Sequence, residues 1–339
     1  MYAPFLYALF FISRVQIKCC VAAWSMCFLY TAPAVYFFYF ILRRKPMKKA
    51  TLNKAFLLVL TLALIVSALA LSSCSSEDSS DLRFELNEDG QSYSVYGPRD
   101  LFFGGQVDLT EVVIPAEYNG KPVTGIKPYA FRQSSNLKSI VIPNSVTSIN
   151  AYAFNDTAYY KDESNWTDGV LYISNHLIEA KDSISGSYTI NADTICIAES
   201  AFGECIGLTS ITIPSSVMII CGSAFYGCTN LASITVPDSV TSIGNAAFSN
   251  CTGLTSVTIG NSVTSIGEGA FSDCGSLISI TIPNNVTSLG KLAFRDCSNL
   301  TSITFKGTKT QWNAIMKGVN WDSYTGSYTV HCTDGDIKK

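Results

Sequence analysis

A phenylalanine preceded by alanine recurs at Phe202, Phe225, Phe248, Phe271 and Phe294, each 23 residues from the last. Cysteines keep the same step at Cys205, Cys228, Cys251, Cys274 and Cys297, and leucines keep it at Leu208, Leu231, Leu254, Leu277 and Leu300. A fixed period of this length means that one supersecondary unit is copied and stacked, so the chain builds a solenoid rather than a globule. Such an array makes one long surface, and long surfaces of this kind bind.

Within one unit, Ser233 to Val236 alternates polar and apolar residues, the period of a half-buried strand. Pro237 ends that strand, as Pro143, Pro214 and Pro283 do in their copies, because proline cannot donate to a sheet ladder; Gly260 takes the place in one copy. Val240 and Ile243 turn the chain back toward the core, Gly244 permits a tight bend, and the Ala247-Phe248 step reads as a short helical turn. Stacking at about 4.8 Å per strand makes eight or nine coils a rod of roughly 40 Å. Its interior is then columns of like residues: Leu, Ile/Val, Val, Ile and Phe. No coil buries its own apolar edges, so both ends need caps.

The pattern Leu-x-x-Ile-x-Ile-Pro-x-x-Val-x-x-Ile-Gly-x-x-Ala-Phe-x-x-Cys resembles the BspA-type bacterial leucine-rich repeat. The resemblance covers residues 109–305 and implies a leucine-rich repeat solenoid, mainly β with short helical turns and parallel strands on one face. It is strong in the five copies from Leu208 onward and clear from Leu137 to Phe154, where Ile140, Ile142, Pro143, Val146 and Ile149 hold their places. The first copy departs through an insertion around Glu117 to Pro122. Residues 155–197 form an irregular coil, with Thr194 where valine belongs, although Ile190 and Ile197 still match. Residues 83–108 read as an N-terminal cap, in which Phe84 to Val95 with Asp89-Gly90 is a β-hairpin. Residues 306–339 read as a C-terminal cap: Thr310 caps a short helix with Trp312, Ile315 and Met316 on one side, and Ser327 to Cys332 is a closing strand.

Charge divides the chain. No acidic residue precedes Glu77, and the first 74 residues carry eight of the 23 basic groups, leaving 15 against 26 acids, a balance of −11. An acidic body argues against a nucleic-acid partner, since nothing offsets phosphate repulsion. Residues 47–73 have the order of an export signal: Lys48, Lys49 and Lys54, then an apolar run from Ala55 to Leu71. The run ends at Leu71-Ser72-Ser73-Cys74, which resembles the lipobox of bacterial lipoproteins. That resemblance implies acylation of Cys74, a lipidated tether over 74–82, and a place at the outer membrane or cell surface. The alternative is an uncleaved transmembrane anchor, for which a 17-residue run is short. Residues 1–46 read either as a transmembrane segment spanning Cys19 to Leu42 and closed by Arg43-Arg44-Lys45, or as sequence upstream of a start at Met47. The second is preferred, because an export signal behind another span has little physical use.

Catalytic and metal readings find no support. None of the five ladder cysteines has a partner within four residues, so the paired spacing of a zinc site is absent. Stacked Cβ vectors run parallel, a poor geometry for disulfides, which leaves the ladder as small buried hydrophobes. Cys196, Cys221 and Cys332 stay unpaired on sequence grounds. His176 and His331 lack any recognisable nucleophile and read as surface or cap residues. No cofactor motif stands out, and the chain reads as a binding protein, not an enzyme. The candidate binding residues are two outward rows, Ser210, Ser233, Ser256, Ser279 and Ser302 beside Thr212, Thr235, Thr258, Thr281 and Thr304. They can donate and accept hydrogen bonds, though serine and threonine also serve β-propensity and solubility. The irregular coil adds Tyr159, Tyr160, Trp166 and Tyr172, as recognition loops or as plugs for the gap. The family resemblance implies adhesion to host or bacterial surface proteins or glycans. A structural envelope spacer without a ligand is the other reading.

Overall fold

The computed structural model describes residues 82–98 and 109–339. The upstream extension, the export signal, Cys74 with its tether as far as residue 81, and residues 99–108 of the N-terminal cap lie outside the described residues.

Each regular repeat contributes two strands, and so two ladders run along the solenoid. In the first, Ser233–Thr235, Ser256–Thr258, Ser279–Ile282, Ser302–Phe305 and Thr329–Cys332 pair in parallel, and Gly335–Lys338 closes the edge antiparallel. The second ladder adds to the single strand face read from the pattern. It is made of two-residue strands at the Ile243 position: Cys196–Ile197, Ile219–Ile220, Ser242–Ile243, Ser265–Ile266, Ser288–Leu289 and Met316–Lys317. Parallel pairing is in register to the residue, so Ile234 meets Val257, and Val257 meets Ile280. A one-residue slip would turn every inward side chain to solvent.

Between the ladders lies one dry spine. Leu231, Ile234, Val236, Val240, Ile243, Phe248 and Cys251 are all at most 2% exposed, as are their counterparts in the following coil, while in the preceding coil Ile211 and Ile213 reach 8%. The phenylalanine rings stack nearly parallel, with centroids 5.2, 5.1, 5.3 and 5.4 Å apart from Phe202 through Phe294. Burying one such ring is worth about 1.5–3 kcal/mol, and each favourable aromatic pair adds about 0.5–1.5 kcal/mol. The Ala-Phe steps are hydrogen-bonded turns whose backbone bonds reach the next coil: the amides of Phe225, Phe248 and Phe271 donate to the carbonyls of Ala247, Ala270 and Ala293 at 2.8 Å. Two left-handed residues bracket each of these turns and keep it from extending into a helix. The later position is held by Gly227, Asn250, Asp273 and Asp296, types that tolerate positive φ.

The ladder cysteines do more than fill space. Cys228, Cys251, Cys274 and Cys297 each donate their S–H to the carbonyl of Phe202, Phe225, Phe248 and Phe271 in the preceding coil, all at 3.1 Å. Burial pushes these thiols up, Cys251 and Cys297 to about 12, which keeps them protonated and unreactive.

At the N-terminal end Leu82–Leu86 and Tyr93–Pro98 form an antiparallel hairpin, and Tyr93–Pro98 runs parallel to Lys121–Ile126. The insertion in the first copy is a second hairpin, Glu117–Tyr118 against Lys121–Ile126, turned by Asn119 and Gly120 at positive φ. The C-terminal helix, Lys309–Ala314, differs from expectation. Its N-cap is Thr308, not Thr310: the Thr308 side chain accepts from the Gln311 amide, and Gln311 answers the Thr308 amide. Trp312 and Ile315 are buried but Met316 is 70% exposed, because the chain has left the helix and joined the second ladder by then. Trp321 closes the phenylalanine file edge-on, 5.9 Å from Phe294. Among the described residues no helix is long and apolar enough to cross a membrane.

Phe248 has rings on both sides and no exposed surface, so Phe248→Ala is expected to cost about 3–5 kcal/mol. The cost should appear in urea unfolding as a lowered midpoint, whereas Thr258→Ala on the outer face should move it little.

Candidate binding surface

The outward residues of the first ladder are brought together as two columns. Ser233, Ser256, Ser279, Ser302 and Thr329 are successive partners, as are Thr235, Thr258, Thr281, Thr304 and His331. Ser210 and Thr212 lie on Leu208–Thr212, which pairs not with the next repeat but with Gly186–Thr189 of the irregular coil. Ser187 and Thr189 therefore extend the columns backward, and alternation within Gly186–Thr189 is the signal that could have found them. No ladder joins Leu208–Thr212 to Ser233–Thr235; the Ala232 amide donating to the Thr209 carbonyl bridges the break at 3.3 Å. In the first two coils the threonine column continues as valine: Val113 pairs with Val141, and they are 61% and 46% exposed.

Which hydroxyls are free is decided by their neighbours. Thr241, Thr264 and Thr287, one position before each short strand, donate to the carbonyls of Met218, Thr241 and Thr264 in the preceding coil. Thr255 and Thr301 do the same to Ala232 and Ile278. These are structural hydroxyls. The ten candidate residues make no side-chain hydrogen bond within the described residues; seven are exposed, and Ser279, Thr281 and Ser302 are half-buried. A hydroxyl left to water is one that a partner can engage with little desolvation loss.

The irregular coil does gather Tyr159, Tyr160, Trp166 and Tyr172, but it uses their polar atoms internally. Tyr159 donates to the Tyr172 carbonyl, Tyr160 to Glu179 at 2.8 Å, and the Trp166 indole to the Tyr160 carbonyl at 2.9 Å. Tyr172 and Tyr188 share a hydroxyl contact of 3.0 Å. All four side chains are half-buried against the core, and Lys181 caps the Trp166 ring. Burial pushes the Tyr159, Tyr160 and Tyr172 phenols up. In this geometry the cluster plugs the place where a regular coil is missing.

The missing coil also leaves an opening on the turn side. Phe131 and Phe154 stack at 5.5 Å, but the next file begins at Phe202, met by the tilted Tyr188. Between the two files lies a cleft of about 400 Å³, lined by Glu179, Asp182, Glu199 and Glu204 with Tyr152 and Tyr226 and no basic residue. Glu199 accepts from the Ala151 amide at 3.0 Å. Burial raises the Glu179 carboxyl, opposed by the bond from Tyr160. Tyr152 is 52% exposed and stacks on Tyr129 at 5.5 Å, both at φ 59°.

His176, expected at the surface, is fully buried. The inserted hairpin Val170–Ile173/His176–Ala180 places it in the second ladder beside Cys196, where Nε2 meets the Val146 carbonyl at 2.8 Å. His331 is exposed and pairs with Asp336. No group of three or more metal-ligating side chains occurs among the described residues.

Six copies of the BspA type leucine rich repeat region match the chain, over residues 99–221 and 195–316. A search of curated proteins finds no match. Solved structures similar to the chain include a leucine rich repeat protein of T. pallidum, 24% identical over 68% of this chain and 85% of its own, with TM-score 0.30. A leucine-rich repeat protein from Eubacterium ventriosum is 18% identical over 77% and 98%, with TM-score 0.38. A leucine rich cell surface protein from Faecalibacterium prausnitzii is 20% identical over 70% and 96%, with TM-score 0.26. Superpositions this loose carry no residue or ligand across.

Desolvation holds His176 below the ordinary imidazole value of 6.5, outweighing its bonds to the Val146 and Ile173 backbone. Below that value the unfolded chain takes up a proton that the folded one refuses. Stability present above pH 6.5 is therefore lost as pH falls toward the folded pKa. Glu179 runs oppositely: its raised pKa makes the fold lose stability as pH rises above the ordinary 4.5. Urea midpoints from pH 7 down to 5 should fall more steeply in the native chain than in His176→Leu.

Proposed function

The chain belongs to the BspA-type leucine-rich repeat family, and from that premise we propose that it is an envelope-exposed, lipid-anchored adhesin-like protein. It recognises host or bacterial surface proteins or glycans through the hydroxyl face of the first ladder. The observation that carries this reading is the division of labour among hydroxyls. Thr241, Thr255, Thr264, Thr287 and Thr301 are bonded to the preceding coil, while the ten Ser and Thr residues of the outer columns are left unbonded. A partner strand or sugar chain laid along these columns meets a donor or acceptor at every coil, about 4.8 Å apart. Val113 and Val141 supply an apolar end to the same face.

The leader supports the location. Leu71-Ser72-Ser73-Cys74 behind an apolar run, followed by a polar tether, fits acylation of Cys74 and retention at the outer membrane or cell surface. A binding role also fits the described residues, among which no arrangement for chemistry occurs. The ladder thiols are held protonated by burial, and the one buried histidine faces a backbone carbonyl. The proposed protein has no catalytic activity, cofactor or nucleic-acid partner.

The test uses cells carrying the full chain and arrays of immobilised matrix proteins and glycans. Thr235, Thr258, Thr281 and Thr304 are all changed to valine, the residue that occupies the same column at Val113 and Val141, so folding should survive. Losing several hydrogen bonds at about 0.5–1.5 kcal/mol each predicts at least a tenfold loss of adhesion. Unchanged adhesion, or no saturable adhesion by the native chain, would favour a structural spacer. Separately, Cys74→Ala should release the chain from membranes, and the native N-terminal peptide should carry the mass of acyl chains.

A further inference from the structure

Two cysteines stand off the ladder and face each other. Cys196 and Cys221 lie on consecutive coils of the second ladder, with sulfurs 3.7 Å apart and side chains 0% and 7% exposed. Both sulfurs point at one acceptor, the Thr147 carbonyl, at 3.2 and 3.9 Å. They sit outside the main core, on the side of the ladder opposite the inward Ile197 and Ile220. The ladder cysteines are different, since four of them are committed to phenylalanine carbonyls.

Cys221 stands one coil before a run of glycines at the same step. The residue after each short strand is Gly244, Gly267 or Gly290 in the following coils. A Cβ on any of those would come within 2.4–2.6 Å of backbone atoms of the preceding coil. Asn150 and Ala198 also carry side chains at this step, so glycine is the rule only from Gly244 onward. What sets Cys196 and Cys221 apart is that their side chains meet.

We propose that Cys196 and Cys221 are a modification site, joined as a disulfide once the chain is exported. The oxidant is a protein disulfide of the thiol-oxidoreductase class. The Cys221 thiolate attacks one of its sulfurs, breaking that bond and releasing one oxidant thiol. The Cys196 thiolate then attacks the Cys221 sulfur, forming the Cys196–Cys221 bond and releasing the second. The two protons from Cys196 and Cys221 end on the oxidant's dithiol, which gains two electrons. Because both thiols are buried in the stacked array, exchange takes place before the irregular coil closes. Closing the 3.7 Å gap to about 2.05 Å brings Cys221, two residues beyond the register partner Ile219, toward Cys196, so backbone as well as side chain must adjust. The bond would then clamp the first regular coil onto the irregular coil, where the phenylalanine file is interrupted. Its occurrence in cells rests on the export reading above.

The experiment separates the two ideas. Purified full chain is unfolded, reduced and refolded in glutathione buffers of graded oxidised fraction, then alkylated under denaturing conditions and cleaved after glutamate. Cleavage at Glu199 and Glu204 puts Cys196 and Cys221 on different peptides. The expected result is one linked pair containing Cys196, lost in Cys221→Ser, with Cys228, Cys251, Cys274 and Cys297 alkylated. The native chain should also melt several degrees lower in dithiothreitol, while Cys221→Ser should not respond. Both thiols alkylated at every poise, or Cys196 linked to a ladder cysteine, would overturn the proposal. In cells, a dithiol in the envelope fraction would overturn it too. A chain found only in the cytosol, yet linking correctly in glutathione, would overturn the export reading and leave the pairing standing.

Discussion

Every coil depends on the coil before it, through hydrogen bonds that keep strict register at 23-residue intervals. The amide of Gly244 reaches the Ile220 carbonyl, that of Gly267 reaches Ile243, and that of Gly290 reaches Ile266. The close approach is possible because these positions lack a Cβ, which would strike the neighbouring backbone. Register in turn stacks Phe on Phe and Cys beneath the preceding Phe carbonyl. The carbonyls of Phe202, Phe225 and Phe248 already accept the amides of Cys205, Cys228 and Cys251 in their own coils, and the thiol of the next coil adds a second donor that alanine could not supply. The spine is therefore neither purely apolar nor purely backbone. Each supports the other, and a change to either propagates along the array.

The same dependence explains what the sequence could and could not reveal. Phe202 to Phe294, the leucine column and the cysteine column were legible because a repeated residue marks a repeated environment. The second ladder was harder to see: two-residue strands such as Ser242–Ile243 leave too short a signature for alternation to register. His176 looked like a surface residue because histidine usually is one, and nothing local reveals that Val170–Ile173 folds it against Val146. Thr310 and Thr308 differ only in which can exchange bonds with Gln311, a matter of three-residue spacing that favours Thr308. The outer Ser and Thr columns were readable as positions, but their freedom from internal bonds depends on which carbonyls the fold brings within reach.

The irregular coil shows how a solenoid absorbs a break. A stretch without an Ala-Phe turn should expose the ends of two phenylalanine files. Instead Tyr188 leans on Phe202, and Tyr159, Tyr160, Trp166 and Tyr172 fill the side with their polar atoms paired. Burying aromatic residues with a polar tip suits a site half in the core and half in water. The repair is incomplete at the turn side, where the acidic cleft opens beside Tyr152 and Tyr226. A uniform array has no address along its length. The interruption supplies one, where acidic side chains, two tyrosine rings and a concavity coincide between the two phenylalanine files.

Uniformity also shapes what the outer face can recognise. Ten like hydroxyls, evenly stepped from Ser233 to Thr304 and set off from Ser210 and Thr212 by the break in the ladder, offer no anchor of the aromatic or arginine kind that concentrates binding energy in compact interfaces. Such a face suits a partner that is itself extended and repetitive, gaining a modest amount per coil. On the proposed reading, affinity would grow with the number of coils engaged, and loss of a single hydroxyl would be tolerated. A lipid anchor would strengthen this arrangement further. Many copies on one envelope would convert weak contacts into avidity without any new bond.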